Sequence, residues 1–133
     1  MTENAIAKEI VDAAYRMHTT LGPGLLESVY EVLLAYELWQ RGLRTTRQQP
    51  VPLVYGNIRM ETGFRADLIV EDRVIVEIKS VEALGPVHRK QLLTYLKLAD
   101  KRLGLLINFQ VALIKDGIIR VVNGLEEEDA PRR

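Results

Sequence analysis

The sequence predicts an α/β (α+β) domain, a mixed β-sheet flanked by helices. Three observations predict it. Apolar side chains recur at helical spacing through the first 41 residues. Phe64–Val70 and Val74–Ser80 are two runs rich in β-branched and apolar residues, separated by a charged break at Glu71-Asp72-Arg73. Finally, a helical stretch from Gly85-Pro86 to about Asp100 lies between the second run and the apolar Leu103–Phe109, which implies a parallel strand pair with a right-handed crossover.

In chain order, Asn4 to about Thr20 is an amphipathic helix with Ile6, Ile10, Ala13, Met17 and Leu21 on one face. Thr2 or Asn4 caps its start and Gly22-Pro23 ends it. His18, near the C-terminal end where a cation is favoured, reads as structural. A second helix runs from about Leu25 to Arg41, with Leu26, Tyr30 and Leu33 as its inward stripe. Glu37 continues that stripe and Glu27 lies beside it. A buried carboxylate is costly without a partner, so Glu37 is expected to be buried and paired, while Glu27 is expected to face a site built by the strands. Leu43–Gln49 is a strand that Pro50 and Pro52 break or place at an edge. Val51–Tyr55 and Ile58–Glu61 form a hairpin leading into the Phe64 strand, and Ala112–Lys115 and Ile118–Val122 a closing hairpin around Asp116-Gly117. The third helix opens with proline in its first turn. His88, Gln91 and Tyr95 share one of its faces at i, i+3 and i+7.

The chain has 133 residues, which fits one domain over residues 1–124 with a tail at 125–133 that reads as disordered. It has no cysteine, which excludes disulfides, thiolate catalysis and cysteine-based zinc sites, and fits a cytoplasmic location. No signal peptide or apolar run of membrane-spanning length is present, so no membrane partner is expected. The formal net charge is zero, but residues 1–42 hold 3 basic and 6 acidic side chains and residues 43–133 hold 15 and 12. Arg89, Lys90, Lys97, Lys101 and Arg102 make a local basic segment, open to two readings: a solvated helix face or a nucleic-acid contact. Only two serines occur, Ser28 and Ser80, neither in a nucleophile-elbow context, which leaves a serine hydrolase poorly supported.

The chemistry concentrates in Phe64–Ser80. If residues 71–73 form the loop, Val70 faces Val74, Leu68 faces Val76 and Ala66 faces Ile78, an apolar set on one face. Asp67 then lies opposite Glu77, with Lys79 one step along on Glu77's face. A two-residue loop would mix the faces. Carboxylates ~5 Å apart repel by about 3 kcal/mol at an effective dielectric near 20. A cation between them is required: Lys79, or a divalent metal, with oxygen-only ligands suiting Mg²⁺ or Mn²⁺. From spacing alone a metal site and a surface ion cluster both remain open.

Order and residues together resemble the PD-(D/E)XK nuclease superfamily, whose restriction-endonuclease-like core is an αβββαβ unit. Asp67 matches its aspartate, Glu77 its second acid and Lys79 its lysine, and Gln91-Leu-Leu-Thr-Tyr95 matches a QxxxY pattern on the following helix. More closely, Gly24-Leu-Leu-Glu27-Ser-Val-Tyr30 is similar to the naming motif of the GxxExxY family assigned to that superfamily, and His88 and the run Gly104–Phe109 are also like it. The resemblance covers about Ile6 to Val122. Arg65-Ala66 stands before Asp67 where the superfamily pattern has proline.

The resemblance implies a nuclease that hydrolyses phosphodiester bonds, of DNA rather than RNA. Asp67, Glu77 and the Ile78 carbonyl would hold Mg²⁺ or Mn²⁺, with Glu27 acting through water or on a second metal. Lys79 would orient or deprotonate the attacking water, and Gln91 and Tyr95 would position the phosphate or the lysine. The alternative is a non-catalytic module that keeps the fold and binds nucleic acid or a protein. A homodimer is open in either case.

Overall fold

The computed structural model describes residues 1–125; the tail expected from the sequence lies almost wholly outside them. Helix α1 spans Glu3–Leu21 and α2 Glu27–Gln40. Strands β1 (Thr45–Tyr55), β2 (Ile58–Val70) and β3 (Val74–Lys79) follow, then α3 (Pro86–Ala99), β4 (Leu103–Asn108) and β5 (Ile118–Val122). The five strands form one sheet in chain order, antiparallel except for the parallel β3–β4 pair that α3 connects. The expected mixed sheet and crossover helix are therefore present.

The Thr2 hydroxyl caps α1 by accepting from Ala5 N–H at 3.1 Å. Two cores sandwich the sheet. On one face α1 and α2 bury Ile6, Ile10, Tyr30 and Leu34 against Val70, Val76 and Ile107. On the other, Leu92 and Leu96 of α3 cover Ile69, Ile75 and Leu106. The face expected to be charged is thus apolar over much of its length, and its charges are confined to one end. β3 and β4 are buried along almost their whole length, as a central parallel pair should be.

Four expectations are corrected. The inward stripe of α2 is Tyr30, Leu34 and Leu38 with Ala35; Leu26 is exposed and Leu33 only half-buried. Because α2 is apolar nearly all round, its periodicity did not single out a face. Glu37 is accordingly not buried; it is half-buried and pairs at 3.5 Å with a largely exposed Arg16. β1 runs unbroken through Pro50 and Pro52, since it is an edge strand whose outer N–H groups need no partner, with an irregularity between Val51 and Leu53. The closing hairpin is replaced by a 3₁₀ turn, Ile114–Gly117, and β5 pairs with β4. Gly117 lies directly on the Asn108 carbonyl, where a Cβ has no room, so the chain passes under the end of β4 before pairing with it.

Candidate active site

The β2–β3 turn has the expected register, Val70 opposite Val74 and Leu68 opposite Val76. Glu71 and Asp72 both sit in the left-handed region and Arg73 N–H closes the turn on Val70 O at 3.0 Å. Beyond Leu68 the backbone ladder opens, and two carboxylates fill the opening. Asp67 N–H donates to Glu77 Oε2 at 3.0 Å, and Ile78 N–H donates to Asp67 Oδ2 at 2.8 Å. Each acid thus holds the opposite strand's backbone. The side-chain alternation of β2 is interrupted here: Ala66 packs under α3 rather than with Leu68 and Val70.

Their electrostatics follow from this confinement. Burial, with the Asp67 charge next in importance, pushes Glu77 up to about 8; the hydrogen bond from Asp67 N–H and the Lys79 ammonium oppose the shift. Burial also raises Asp67 above the ordinary carboxylate value, against the hydrogen bond from Ile78, and the Glu31 charge raises it further. Lys79 is half-buried at the end of β3, beside Asn108 of β4.

Glu31, which sequence reasoning missed, is the third acid here. It is 6% exposed. Arg47 donates to its Oε2 from Nε at 3.2 Å and Nη2 at 3.0 Å. The Gln48 amide donates to Glu31 Oε1 at 2.6 Å and to Asp67 Oδ1 at 3.3 Å, linking the two acids. Gln48 adopts a left-handed backbone, φ 54°, to reach them. The available signal was the spacing: Glu31 lies one helical turn beyond Glu27 and next to Tyr30.

Glu27 opens α2 at the exit of β3, where its Oε2 accepts from Ser80 N–H at 3.1 Å. Gly24, at φ 110°, donates its N–H to Gln110 Oε1 at 3.0 Å. The Tyr30 hydroxyl donates to Gly22 O at 2.6 Å, accepts from Leu25 N–H at 3.2 Å, and its ring stacks on Phe109 at 4.3 Å. These three motif residues tie the α1–α2 loop to the ends of β3 and β4. Asn108, fully buried, fixes the segment after Lys79 by accepting from Val81 N–H at 3.1 Å and donating to Val81 O at 2.9 Å.

On the α3 side, Tyr95 stacks on Phe64 at 3.8 Å. Its hydroxyl is raised by burial and by the charges of Glu77 and Asp67, with a hydrogen bond from Gln91 opposing the shift. Tyr95 therefore lies near enough to the acids for their charge to act on its hydroxyl. His88 does not join them; its Nδ1 accepts from Gly85 N–H at 2.9 Å and caps the helix. His18 is buried, with Nε2 3.2 Å from Phe109 O, which bears out its structural reading.

The donor set is all oxygen, and among the described residues no three His, Asp or Glu side chains gather as a metal cluster. Mg²⁺ is commonly held by one or two carboxylates, with water completing its shell. Two crowded acids whose ionised forms are disfavoured by burial and by each other fit such an ion, because its charge relieves both penalties. Among the described residues no helix is long and apolar enough to cross a membrane.

The crystal structure of SSO0001 superposes with a TM-score of 0.54 at 19% identity, covering 76% of this chain and 52% of that one. The chain thus spans about half the length of that structure, and the likeness is one of fold. No curated protein matches the sequence. The family model of the PD-(D/E)XK nuclease superfamily matches residues 4–121, nearly the whole of the described chain. The chain belongs to the PD-(D/E)XK nuclease superfamily.

Proposed function

We propose that the protein is a divalent-metal-dependent nuclease of the GxxExxY type that hydrolyses phosphodiester bonds, in DNA rather than RNA. The single observation that carries this reading is the reciprocal hydrogen bonding of Asp67 and Glu77 across the opened ladder, with Lys79 next along β3. Two acids fixed through each other's backbone N–H groups are held side by side at one end of the sheet. In this reading Asp67, Glu77 and the Ile78 carbonyl hold Mg²⁺ or Mn²⁺, and Glu27 acts through water. The ion, when bound, supplies a lowered water pKa and neutralises charge developing on the phosphoryl oxygens.

The rest falls to the chain's own residues. Lys79 donates from its ammonium to the attacking water and orients it. As the new P–O bond forms, the P–O bond to the leaving sugar oxygen breaks, the water's proton passes to solvent and the leaving oxygen takes one up from solvent. Tyr95, held by Gln91 and Phe64, donates to a non-bridging phosphoryl oxygen; its raised pKa keeps it a donor at neutral pH. Glu31, Arg47 and Gln48 hold Asp67 in place from the α2 side.

The test is cleavage of single-stranded DNA, double-stranded DNA and RNA with Mg²⁺ and with Mn²⁺. Lys79→Ala is expected to abolish cutting with circular dichroism and Tm unchanged, and Asp67→Asn to weaken metal binding in calorimetry as well as activity. A protein that cuts none of these substrates, yet binds one equally with and without metal, is a binding module and not an enzyme.

A further inference from the structure

Helix α2 presents two apolar faces, and the described chain covers only one. Tyr30, Leu34 and Leu38 are buried against the sheet. Opposite them Leu26 is 72% exposed, Val29 37%, Val32 44%, Tyr36 52% and Trp39 49%. Val29, Val32, Tyr36 and Trp39 are spaced three, four and three apart, the a/d spacing by which one helix packs along another. Apart from Glu27, whose carboxylate is engaged by Ser80, no exposed residue of α2 carries a charge. The Trp39 indole N–H donates inward to Thr45 O at 2.9 Å, so the ring shows its apolar surface outward. A helix with apolar side chains on two faces has more to bury than one sheet covers. At 14 residues α2 is too short to span a bilayer.

We infer that the outward face of α2 is a homodimer interface, in which α2 packs antiparallel on α2 of a second copy about a two-fold axis. Three features select a second copy. The stripe exposes on the order of 600 Å², at the upper end of the ~300–600 Å² of a monomer's largest apolar patch and approaching the ~800 Å² per partner of a standard interface. It is also self-complementary in volume. With the axis near Leu34, Val29 meets the partner's Trp39 and Val32 meets the partner's Tyr36, small against large; a parallel pair would stack aromatic on aromatic and leave the valines facing a gap. Lastly, residues 1–42 carry 3 basic and 6 acidic side chains, a balance that offers nucleic acid no basic surface on this side. The interface lies on the face of α2 turned away from the sheet and does not depend on catalysis at Asp67 and Glu77.

Sedimentation equilibrium of the full chain tests it. The 15.1 kDa chain is expected at twice its mass at tens of micromolar, and Val32→Glu/Tyr36→Glu at the single mass with an unchanged far-ultraviolet spectrum. Because the chain has no cysteine, Val29→Cys and Trp39→Cys report orientation cleanly. Mixed one to one and oxidised, they are expected to cross-link to each other several-fold more than to themselves. A monomeric wild type overturns the inference, whether or not it takes up another protein or a vesicle. So do a dimer that survives Val32→Glu/Tyr36→Glu or, should that variant not fold, Val29→Lys, and a predominance of like-with-like cross-links.

Discussion

Glu77 shows how a single position couples the backbone to charge. Its carboxylate stands in for a missing ladder acceptor, which keeps it buried beside Asp67. Its folded-state value of about 8 lies above the 4.5 of an ordinary glutamate. Between those two pH values the folded chain retains a proton that the unfolded chain has lost, so this group's contribution to stability falls as pH rises from about 4.5 to about 8. Without divalent metal, Tm is expected to decline over that window, and Glu77→Gln to flatten the decline. Mg²⁺ is expected to raise Tm more at the upper end than at the lower, because it binds the ionised pair and binding to the folded state stabilises it. Scanning fluorimetry across pH with and without Mg²⁺ reads all three. Glu31 is the other decisive residue. Glu31→Ala removes the acceptor of Arg47 and Gln48, and about 1–2 kcal/mol of stability is expected to go with it, since Arg47 is exposed enough to be rehydrated. Urea unfolding of the variant measures this; no change in midpoint would show the network to be idle.

At the scale of elements, the GxxExxY stretch is a brace as much as a site. Tyr30 satisfies two backbone groups of the α1–α2 loop and packs on Phe109. Tyr30→Phe keeps the stack and loses the hydroxyl, so about 1–3 kcal/mol of stability is expected to be lost while metal affinity in calorimetry stays near wild type. A loss of metal binding at unchanged stability would instead make Tyr30 part of the site. β1 makes a related point. Its prolines tolerate the edge, while Gln48 takes a left-handed backbone to touch both Glu31 and Asp67. The edge strand therefore contributes to the site even though its sequence reads as a broken strand.

For the whole molecule, zero net charge hides a division. Lys101 and Arg102 are engaged by Asp72 and Glu3, which leaves Arg89, Lys90 and Lys97 exposed on α3, the helix that carries Tyr95 and Gln91. If these three neutralise phosphates, the triple alanine variant is expected to reduce the slope of log affinity against log salt by roughly 2–3, about 0.7–0.9 for each phosphate left without its cation. Fluorescence anisotropy with a labelled oligonucleotide over a salt series gives the slope. An unchanged slope would return these cations to the role of a solvated face.

What the sequence by itself determined was whatever local periodicity and turn chemistry carry. The three helices, the 71–73 turn and its register, and the parallel crossover all follow from spacing within one or two elements. Asp67, Glu77 and Lys79 were legible because the two strands that bear them are adjacent in the chain, so one turn aligns them. Tertiary structure decided what depends on distant segments. Which face of α2 is buried could not be read from its apolar spacing. Glu37, expected inside, lies half-buried beside Arg16, while Glu31, for which the sequence raised no expectation, is buried at the site. Glu31 meets Gln48 and Asp67 only because α2, β1 and β2 converge, over separations of 17 and 19 residues along the two hydrogen bonds of Gln48. The 3₁₀ turn before β5 likewise depends on Gly117 meeting Asn108 of another strand. Local sequence sets the propensity of each element, but the partner that buries a given side chain is chosen only when the elements pack, and burial is what turns a surface acid into Glu77.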